Sequence, residues 1–317
     1  MKRAFVFPGQ GSQKIGMGKE LYDAFPAAKH VFQEVDEALS QDLSGLIFSG
    51  NEKDLTMTEN TQPALMAVSL AAVRVMETEL KTDLADHCAY VAGHSLGEYS
   101  ALAAVKSFDL GTTAKLLRIR GQAMQAAVPV GKGAMAALIG VDFATAQEIV
   151  TAAMDQAGND HVCVAANDNA PGQVVISGTT GAVEIATVIA KERGAKRALM
   201  LPVSAPFHSP LIQSAADKMA QALSQEDVRP PKCPIICNVT AQPESEPSQI
   251  RRLLVDQVTG TVRWRESVET MAGLDVTQIV EVGAGKVLTG LARRINPDLQ
   301  GVNVETPADI EAFLKTL

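Results

Sequence analysis

The 317-residue sequence has few aromatic side chains, only four cysteines and no excess of positive charge. Its net charge of −8 argues against nucleic acid or an anionic membrane surface as a partner. No apolar run approaches the roughly 18 residues of a membrane span, and the first one, residues 4–7, is too short for a signal peptide. We therefore expect a globular protein that is cytoplasmic and monomeric.

The cysteines, Cys88, Cys163, Cys233 and Cys237, are scattered and form no C-x-x-C motif. No histidine or further cysteine lies near the last two, so the spacing does not indicate zinc. Reduced thiols are therefore expected. The glycine-rich stretches 8–13 and 283–290 match neither the dinucleotide-binding pattern nor the P-loop. We predict that the protein uses no metal ion and no other cofactor.

Hydrophobic residues make up 46% of the chain, enough for one large domain or for a domain with an insert. Residues 133–204 follow the order strand, helix, strand, strand, helix, strand, which is typical of the ferredoxin-like unit. The flanking segments predict an α/β fold. We predict an α/β-hydrolase-like large domain with a mainly parallel sheet, residues 1–127 and 205–317, and an inserted ferredoxin-like small domain, residues 128–204.

Two local patterns within this scheme make definite predictions. The stretch from Asn167 to Gly172 is rich in Asn, Asp, Pro and Gly, and it predicts a turn. The triplet Thr61-Gln62-Pro63 predicts the start of a long apolar helix that runs to Leu80.

The pattern Gly93-x-Ser95-x-Gly97 lies between a short apolar strand and a helix that begins at about Leu96. This is the pattern of a nucleophile elbow, in which a serine occupies a sharp strand-to-helix turn. Both flanking positions favour glycine because a side chain there would collide where the helix folds back onto the strand. The free N–H groups at the helix start would stabilise a tetrahedral oxyanion. We predict Ser95 to be a nucleophile.

A serine nucleophile needs a base, and His208 is the candidate that remains after elimination. It follows a predicted strand and precedes a helix, where an α/β protein places its site residues. The alternative is a turn histidine without a catalytic role. Arg118 and Arg120 lie two residues apart on a predicted helix and point to different sides. Their spacing leaves open whether either one faces the site.

Several stretches along the chain form a combination typical of one family. They are Phe7-Pro8-Gly9-Gln10-Gly11-Ser12-Gln13, Gly93-His94-Ser95-Leu96-Gly97-Glu98-Tyr99, Arg120-Gly121 with Met124-Gln125, 169–178, Phe207-His208-Ser209, Glu281-Val282-Gly283 and Lys286-Val287-Leu288. On these stretches the sequence resembles, over essentially its full length, the bacterial malonyl-CoA:acyl carrier protein transacylases of fatty acid synthesis. Together the stretches are highly specific, although no single one would be.

The resemblance implies a role for several residues. Ser95 would carry the acyl group as an ester, and His208 would be its acid/base partner. A main-chain carbonyl, here that of Gln257, would orient the histidine in place of a triad aspartate.

The resemblance also implies how the substrate is held. The backbone N–H groups of Gln10 and Leu96 would form the oxyanion hole. Arg120, rather than Arg118, would pair with the free carboxylate of a malonyl group, since a guanidinium binds a carboxylate through two hydrogen bonds. An acetyl group offers no such partner.

The activity implied is transfer of the malonyl group from malonyl-CoA to the phosphopantetheine thiol of acyl carrier protein, by a ping-pong mechanism through a malonyl-serine ester. One alternative is a free-standing acyltransferase of polyketide synthesis. Another is a serine esterase or thioesterase, although no acidic residue stands out as a third triad member. A non-enzymatic carrier-binding relative is a further alternative, which the intact set of Ser95, His208 and Arg120 disfavours.

Overall fold

The computed structural model describes residues 1–203 and 205–317. Within these residues the strands are β1 Arg3–Phe7, β2 Tyr90–Gly93, β3 Gly133–Ile139, β4 Cys163–Ala170, β5 Gln173–Thr179, β6 Arg197–Met200, β7 Ile235–Ile236, β8 Pro243–Glu244, β9 Gln278–Val282 and β10 Gln300–Val304. The helices are α1 Lys19–Ala24, α2 Pro26–Leu39, α3 Leu43–Ser49, α4 Glu52–Thr56, α5 Thr58–Leu80, α6 Gly97–Ala104, α7 Leu110–Ala126, α8 Phe143–Ala157, α9 Thr180–Glu192, α10 Gln213–Ser224, α11 Pro247–Thr259, α12 Trp264–Gly273, α13 Val287–Ile295 and α14 Pro307–Leu314.

The larger sheet has the strand order β10-β9-β1-β2-β7-β8. All neighbours are parallel except the last pair, β7 and β8. The carboxyl ends of β1 and β2 are adjacent, since Phe7 pairs with Gly93. The glycine-rich loop after β1 and the elbow after β2 therefore lie side by side at one edge of the sheet. The predicted α/β fold with a mainly parallel sheet is confirmed.

The larger sheet is buried on both faces, as expected for parallel strands. Side chains alternate along β1, so that Phe5 and Phe7 join one hydrophobic cluster, while Ala4 and Val6 join another on the opposite face. The first cluster includes most of α5, which is buried along nearly its whole length. Helix α5 begins at Thr58, three residues before the predicted start, and Pro63 lies inside it.

The second sheet is antiparallel, with the order β4-β5-β3-β6, and it has its own hydrophobic cluster with α8 and α9. Its elements follow the predicted order, strand, helix, strand, strand, helix, strand. The strand arrangement is that of the ferredoxin-like unit. The domain bounds stay a prediction, and Ser204, at the predicted boundary, lies outside the described residues.

The prediction of a turn from Asn167 to Gly172 was wrong over most of its length. Strand β4 continues to Ala170, and only Pro171 and Gly172 connect it to β5. The polar residues stay in the strand because they have long-range partners. The Asp168 N–H donates to the Val262 carbonyl, and the Asp168 carboxylate pairs with Arg265 at 2.9 Å.

None of the helices in the described residues is long and apolar enough to cross a membrane. Two short 3₁₀ helices, Leu84–His87 and Pro210–Ile212, connect longer elements. The second of them follows the loop that carries His208.

Candidate active site

The elbow places Ser95 between β2 and α6 in a left-handed conformation, with a φ angle of 53°. Such angles are rare outside glycine and persist where the surroundings enforce them. A Cβ atom added to Gly93 would lie 1.9 Å from the carbonyl carbon of Gly97. One added to Gly97 would lie 2.2 Å from the carbonyl oxygen of Phe7. Close backbone approach therefore requires glycine on both sides of Ser95, as the sequence predicts.

His208 meets Ser95 from the loop after β6, and it too has a positive φ, of 56°. Its Nε2 atom lies 2.8 Å from the Ser95 hydroxyl, and its Nδ1 atom lies 2.9 Å from the carbonyl oxygen of Gln257. Because a carbonyl can only accept a hydrogen bond, Nδ1 carries the proton in this contact. Nε2 is then free to accept the proton of the serine hydroxyl.

Burial and, to a lesser degree, the positive charge of Arg120 lower the pKa of His208 to about 3. The hydrogen bond to Gln257 acts in the opposite direction but is a smaller effect. The imidazole is therefore neutral near pH 7, and a neutral imidazole is the form that a general base requires.

Arg120 extends from α7 into the site, and it is only 1% exposed. Its Nη2 atom lies 3.1 Å from the Ser95 hydroxyl oxygen and 2.8 Å from the side-chain oxygen of Gln257. Its Nη1 atom donates to the side-chain oxygen of Gln62 at 2.9 Å. Arg118 turns away and donates to Gln41. Arg120 therefore faces the site and Arg118 does not, which their spacing in the sequence had left open.

A polar layer beneath the elbow was not predicted from the sequence. The Asn238 side chain accepts from the Ser95 N–H at 2.8 Å and donates to the Gly93 carbonyl at 2.7 Å, so it spans the turn. The Gln257 side chain donates to the Ser95 carbonyl at 2.9 Å and to Glu98 at 2.8 Å. These contacts hold Ser95 in its unusual backbone conformation.

Glu98 completes this layer and is 1% exposed. One of its oxygens accepts from the Asn238 N–H at 3.1 Å as well as from Gln257. Burial raises the pKa of Glu98 to about 7, although these hydrogen bonds and the charge of Arg120 act to lower it. The only signal in the sequence was an acidic residue in the second position of a helix that has no other charged residue.

A cavity of about 270 Å³ opens beside the serine, and Ser95, His208, Arg120, Gln10 and Leu96 all line it. The backbone N–H groups of Gln10 and Leu96 donate no hydrogen bond to an acceptor among the described residues.

Two further polar residues line the same cavity. His94 faces it and lies 2.8 Å, through Nε2, from the side-chain oxygen of Asn169. Gln62, which also lines it, was placed on a helix by the sequence but given no role.

The structure brings together all six residues predicted for the site: Ser95, His208, Arg120, Gln10, Leu96 and Gln257. Their individual roles stay predictions. In the part of the chain that is described, no group of three or more His, Cys, Asp or Glu side chains could hold a metal ion.

The fold and the site together define an α/β protein with a serine–histidine pair of the kind that forms acyl-serine esters. The model of the acyl transferase domain family matches residues 4–303. The malonyl CoA-acyl carrier protein transacylase of Bacillus subtilis is 45% identical over 317 residues, which are 100% of this chain and 97% of that protein.

Solved structures are similar over the whole chain. An acyl-carrier-protein-S-malonyltransferase from Bartonella henselae has 55% identity and a TM-score of 0.96, with 100% of this chain and 99% of that one covered. A malonyl-transacylase in complex with a type II PKS acyl-carrier protein has 40% identity and a TM-score of 0.94, with both chains fully covered. The chain belongs to the acyl transferase family and, within it, to the malonyl CoA-acyl carrier protein transacylases.

Proposed function

We propose that this enzyme transfers the malonyl group of malonyl-CoA to the phosphopantetheine thiol of acyl carrier protein, and so supplies malonyl-carrier protein for fatty acid synthesis. The reaction proceeds through an ester on Ser95. The similarity to malonyl CoA-acyl carrier protein transacylases supports both the donor and the acceptor.

The observation that carries the proposal is the environment of Arg120. Its hydrogen-bond partners are neutral oxygens of Gln62, Gln257 and Ser95, and no acidic side chain in the described ranges forms an ion pair with it. A buried cation that forms no ion pair is costly, so a site that keeps one gains from an anionic ligand. The carboxylate of a malonyl group provides that charge next to the nucleophile.

In the first half-reaction, the Ser95 hydroxyl attacks the thioester carbonyl while His208 Nε2 takes its proton. The negative charge on the tetrahedral oxygen is stabilised by the N–H groups of Gln10 and Leu96, which border the cavity. Coenzyme A then leaves as a thiol after His208 returns the proton.

Binding of malonyl-CoA also prepares the base. The charge of Arg120 is one cause of the low pKa of His208. When the malonyl carboxylate neutralises that charge, the part of the pKa depression that Arg120 causes is removed, although burial still lowers the pKa of His208, and the imidazole becomes a stronger base. The substrate that the enzyme selects would thereby favour its own transfer.

In the second half-reaction, the phosphopantetheine thiol attacks the Ser95 ester with His208 as base. The relative solved with a type II PKS acyl-carrier protein makes a polyketide carrier the second candidate acceptor. The chemistry at Ser95 would be the same, and only the carrier and the pathway would differ. Measured rates with carriers of both kinds would separate the two functions.

The first test is the intact mass of the enzyme after brief mixing with malonyl-CoA, acetyl-CoA or buffer, followed by peptide mapping. We expect one malonyl adduct on Ser95 that acyl carrier protein discharges. Rapid release of malonate without carrier protein, and without an adduct, would instead identify a hydrolase. The monomeric state, the cytoplasmic location and the lack of a cofactor stay predictions.

A further inference from the structure

Two of the four cysteines meet in the fold, although 145 positions separate them in the sequence. The Sγ atoms of Cys88 and Cys233 lie 3.3 Å apart. Cys88 is partly exposed, whereas Cys233 is 4% exposed. A disulfide has an S–S distance of about 2.05 Å, so an approach of about 1.3 Å separates the two thiols from a covalent bond.

The sheet explains why they meet. Cys88 lies just before β2 and Cys233 just before β7, and these parallel strands pair through Val91 with Ile235. The pair is therefore at the amino ends of both strands. The catalytic Ser95 follows the carboxyl end of β2, at the opposite edge of the sheet.

The remaining cysteines have different surroundings. Cys163 is buried in the second sheet, at the start of β4. Cys237 is buried near the Glu98 carboxyl group. Neither is placed to compete for the exposed partner, Cys88.

We propose that Cys88 and Cys233 form an intramolecular disulfide when the enzyme meets hydrogen peroxide. The thiolate of Cys88 attacks the peroxide oxygen, the O–O bond breaks, and one water leaves as a sulfenic acid forms. The thiolate of Cys233 then attacks that sulfur, the S–O bond breaks, and a second water leaves. Two thiols lose two electrons and two protons, and one peroxide is reduced to two waters.

The reaction is slow near neutral pH and faster in alkali. The hydrogen bond with Cys233 and, next, burial raise the pKa of the Cys88 thiol well above its usual range. Because the thiolate is the reacting species, few molecules are ready to react at pH 7. The pair thus responds to sustained rather than brief exposure to peroxide.

The disulfide would join the starts of β2 and β7, whose other ends lead to Ser95 and Asn238. It closes a long loop, which restricts the unfolded chain and stabilises the folded one. Since no catalytic atom lies at that edge of the sheet, malonyl transfer should continue in the oxidised enzyme.

The test treats the reduced full-length enzyme with hydrogen peroxide over a range of alkaline pH, then quenches free thiols with an alkylating reagent. Relative to the reduced enzyme, we expect the intact mass to fall by two hydrogens before alkylation, and the alkylated sample to lack two alkyl groups as well. Peptide mapping without reductant should join the peptides of Cys88 and Cys233. Dithiothreitol should reverse these changes. The oxidised enzyme should unfold several degrees above the reduced one, with transfer activity within about twofold.

Cys88→Ser and Cys233→Ser should each abolish the linked peptide, while the matched control Cys163→Ser should retain it. Oxygen addition to Cys88 without a link, a link to another cysteine, or a link only between two protein molecules would each overturn the proposal. Since the wild-type protein is itself the test sample, poor folding of a variant leaves the result intact.

Discussion

Replacing Arg120 with alanine is expected to remove the preference of the enzyme for a malonyl over an acetyl group. The guanidinium is buried, lies 3.1 Å from the Ser95 hydroxyl and forms no ion pair with an acidic side chain among the residues described. In the proposed complex it forms a desolvated ion pair with the substrate carboxylate. An acetyl group makes no such pair, so acetyl-CoA serves as the internal reference.

The size of the expected loss of malonyl preference follows from the burial of the ion pair between Arg120 and the substrate carboxylate. Removing one partner of a buried, hydrogen-bonded charge pair costs about 2–5 kcal/mol. At about 1.4 kcal/mol per factor of ten, the ratio of kcat/KM for malonyl-CoA to that for acetyl-CoA should fall about 30- to 4000-fold. The substitution also frees the side-chain oxygens of Gln62 and Gln257 and relieves His208 of a positive charge. The loss of those two hydrogen bonds acts on both substrates and cancels in the ratio. Relief of His208 favours acetyl-CoA alone, because the malonyl carboxylate already neutralises Arg120 in the parent enzyme, and it therefore lowers the ratio further.

The assay is the rate of Ser95 acylation in rapid-quench experiments with each thioester. Arg118→Ala is the matched control, because Arg118 lies on the same helix but contacts Gln41 outside the cavity. The control should keep the ratio within about twofold. Equal losses for malonyl-CoA and acetyl-CoA in Arg120→Ala would refute the role assigned to Arg120.

Three further substitutions test the remaining parts of the site. Ser95→Ala should form no malonyl adduct detectable by mass spectrometry, while an unchanged circular dichroism spectrum shows that the variant is folded. An adduct at another residue would identify a different nucleophile. Asn238→Leu leaves the Ser95 N–H and the Gly93 carbonyl without partners. The free energy of unfolding, measured in urea, should therefore fall by about 2–5 kcal/mol. The substitution should lower kcat by a larger factor than it changes KM. Glu98 has a pKa of about 7 when folded and about 4.3 when unfolded, so the stability that it contributes is present at low pH and lost as the pH rises through 7. Between about pH 4 and pH 8, the free energy of unfolding of Glu98→Gln should therefore gain about 3 kcal/mol relative to the parent, and a difference independent of pH would contradict the assignment.

The elbow could be predicted from sequence because its requirements are local. Glycine is needed at Gly93 and Gly97 by contacts within a few residues or with the neighbouring strand, and these contacts leave their mark on residue type. The order of strands and helices in the second sheet was also predictable, since hydrophobic periodicity is a local property.

The wrong prediction of a turn at Asn167–Gly172 also came from local composition, which in this case did not decide the structure. Local composition favours a turn, yet the strand persists because Asp168 finds partners in Val262 and Arg265, nearly 100 residues away. Turn propensity is a weak preference, and long-range hydrogen bonds of buried polar groups override it.

The sequence by itself determined the serine on its turn, the α/β class, the candidate histidine and the family that these residues resemble. Residue spacing left open which arginine faces the site, and the resemblance implied Arg120, whose position in the cavity the tertiary structure shows. Only the tertiary structure decided that Asn238 and Glu98 support the elbow and that Cys88 meets Cys233. The reason is physical. Local sterics and periodicity are encoded in neighbouring residues, whereas the direction in which a helix or strand packs depends on the whole chain, and that direction selects the side chains that meet.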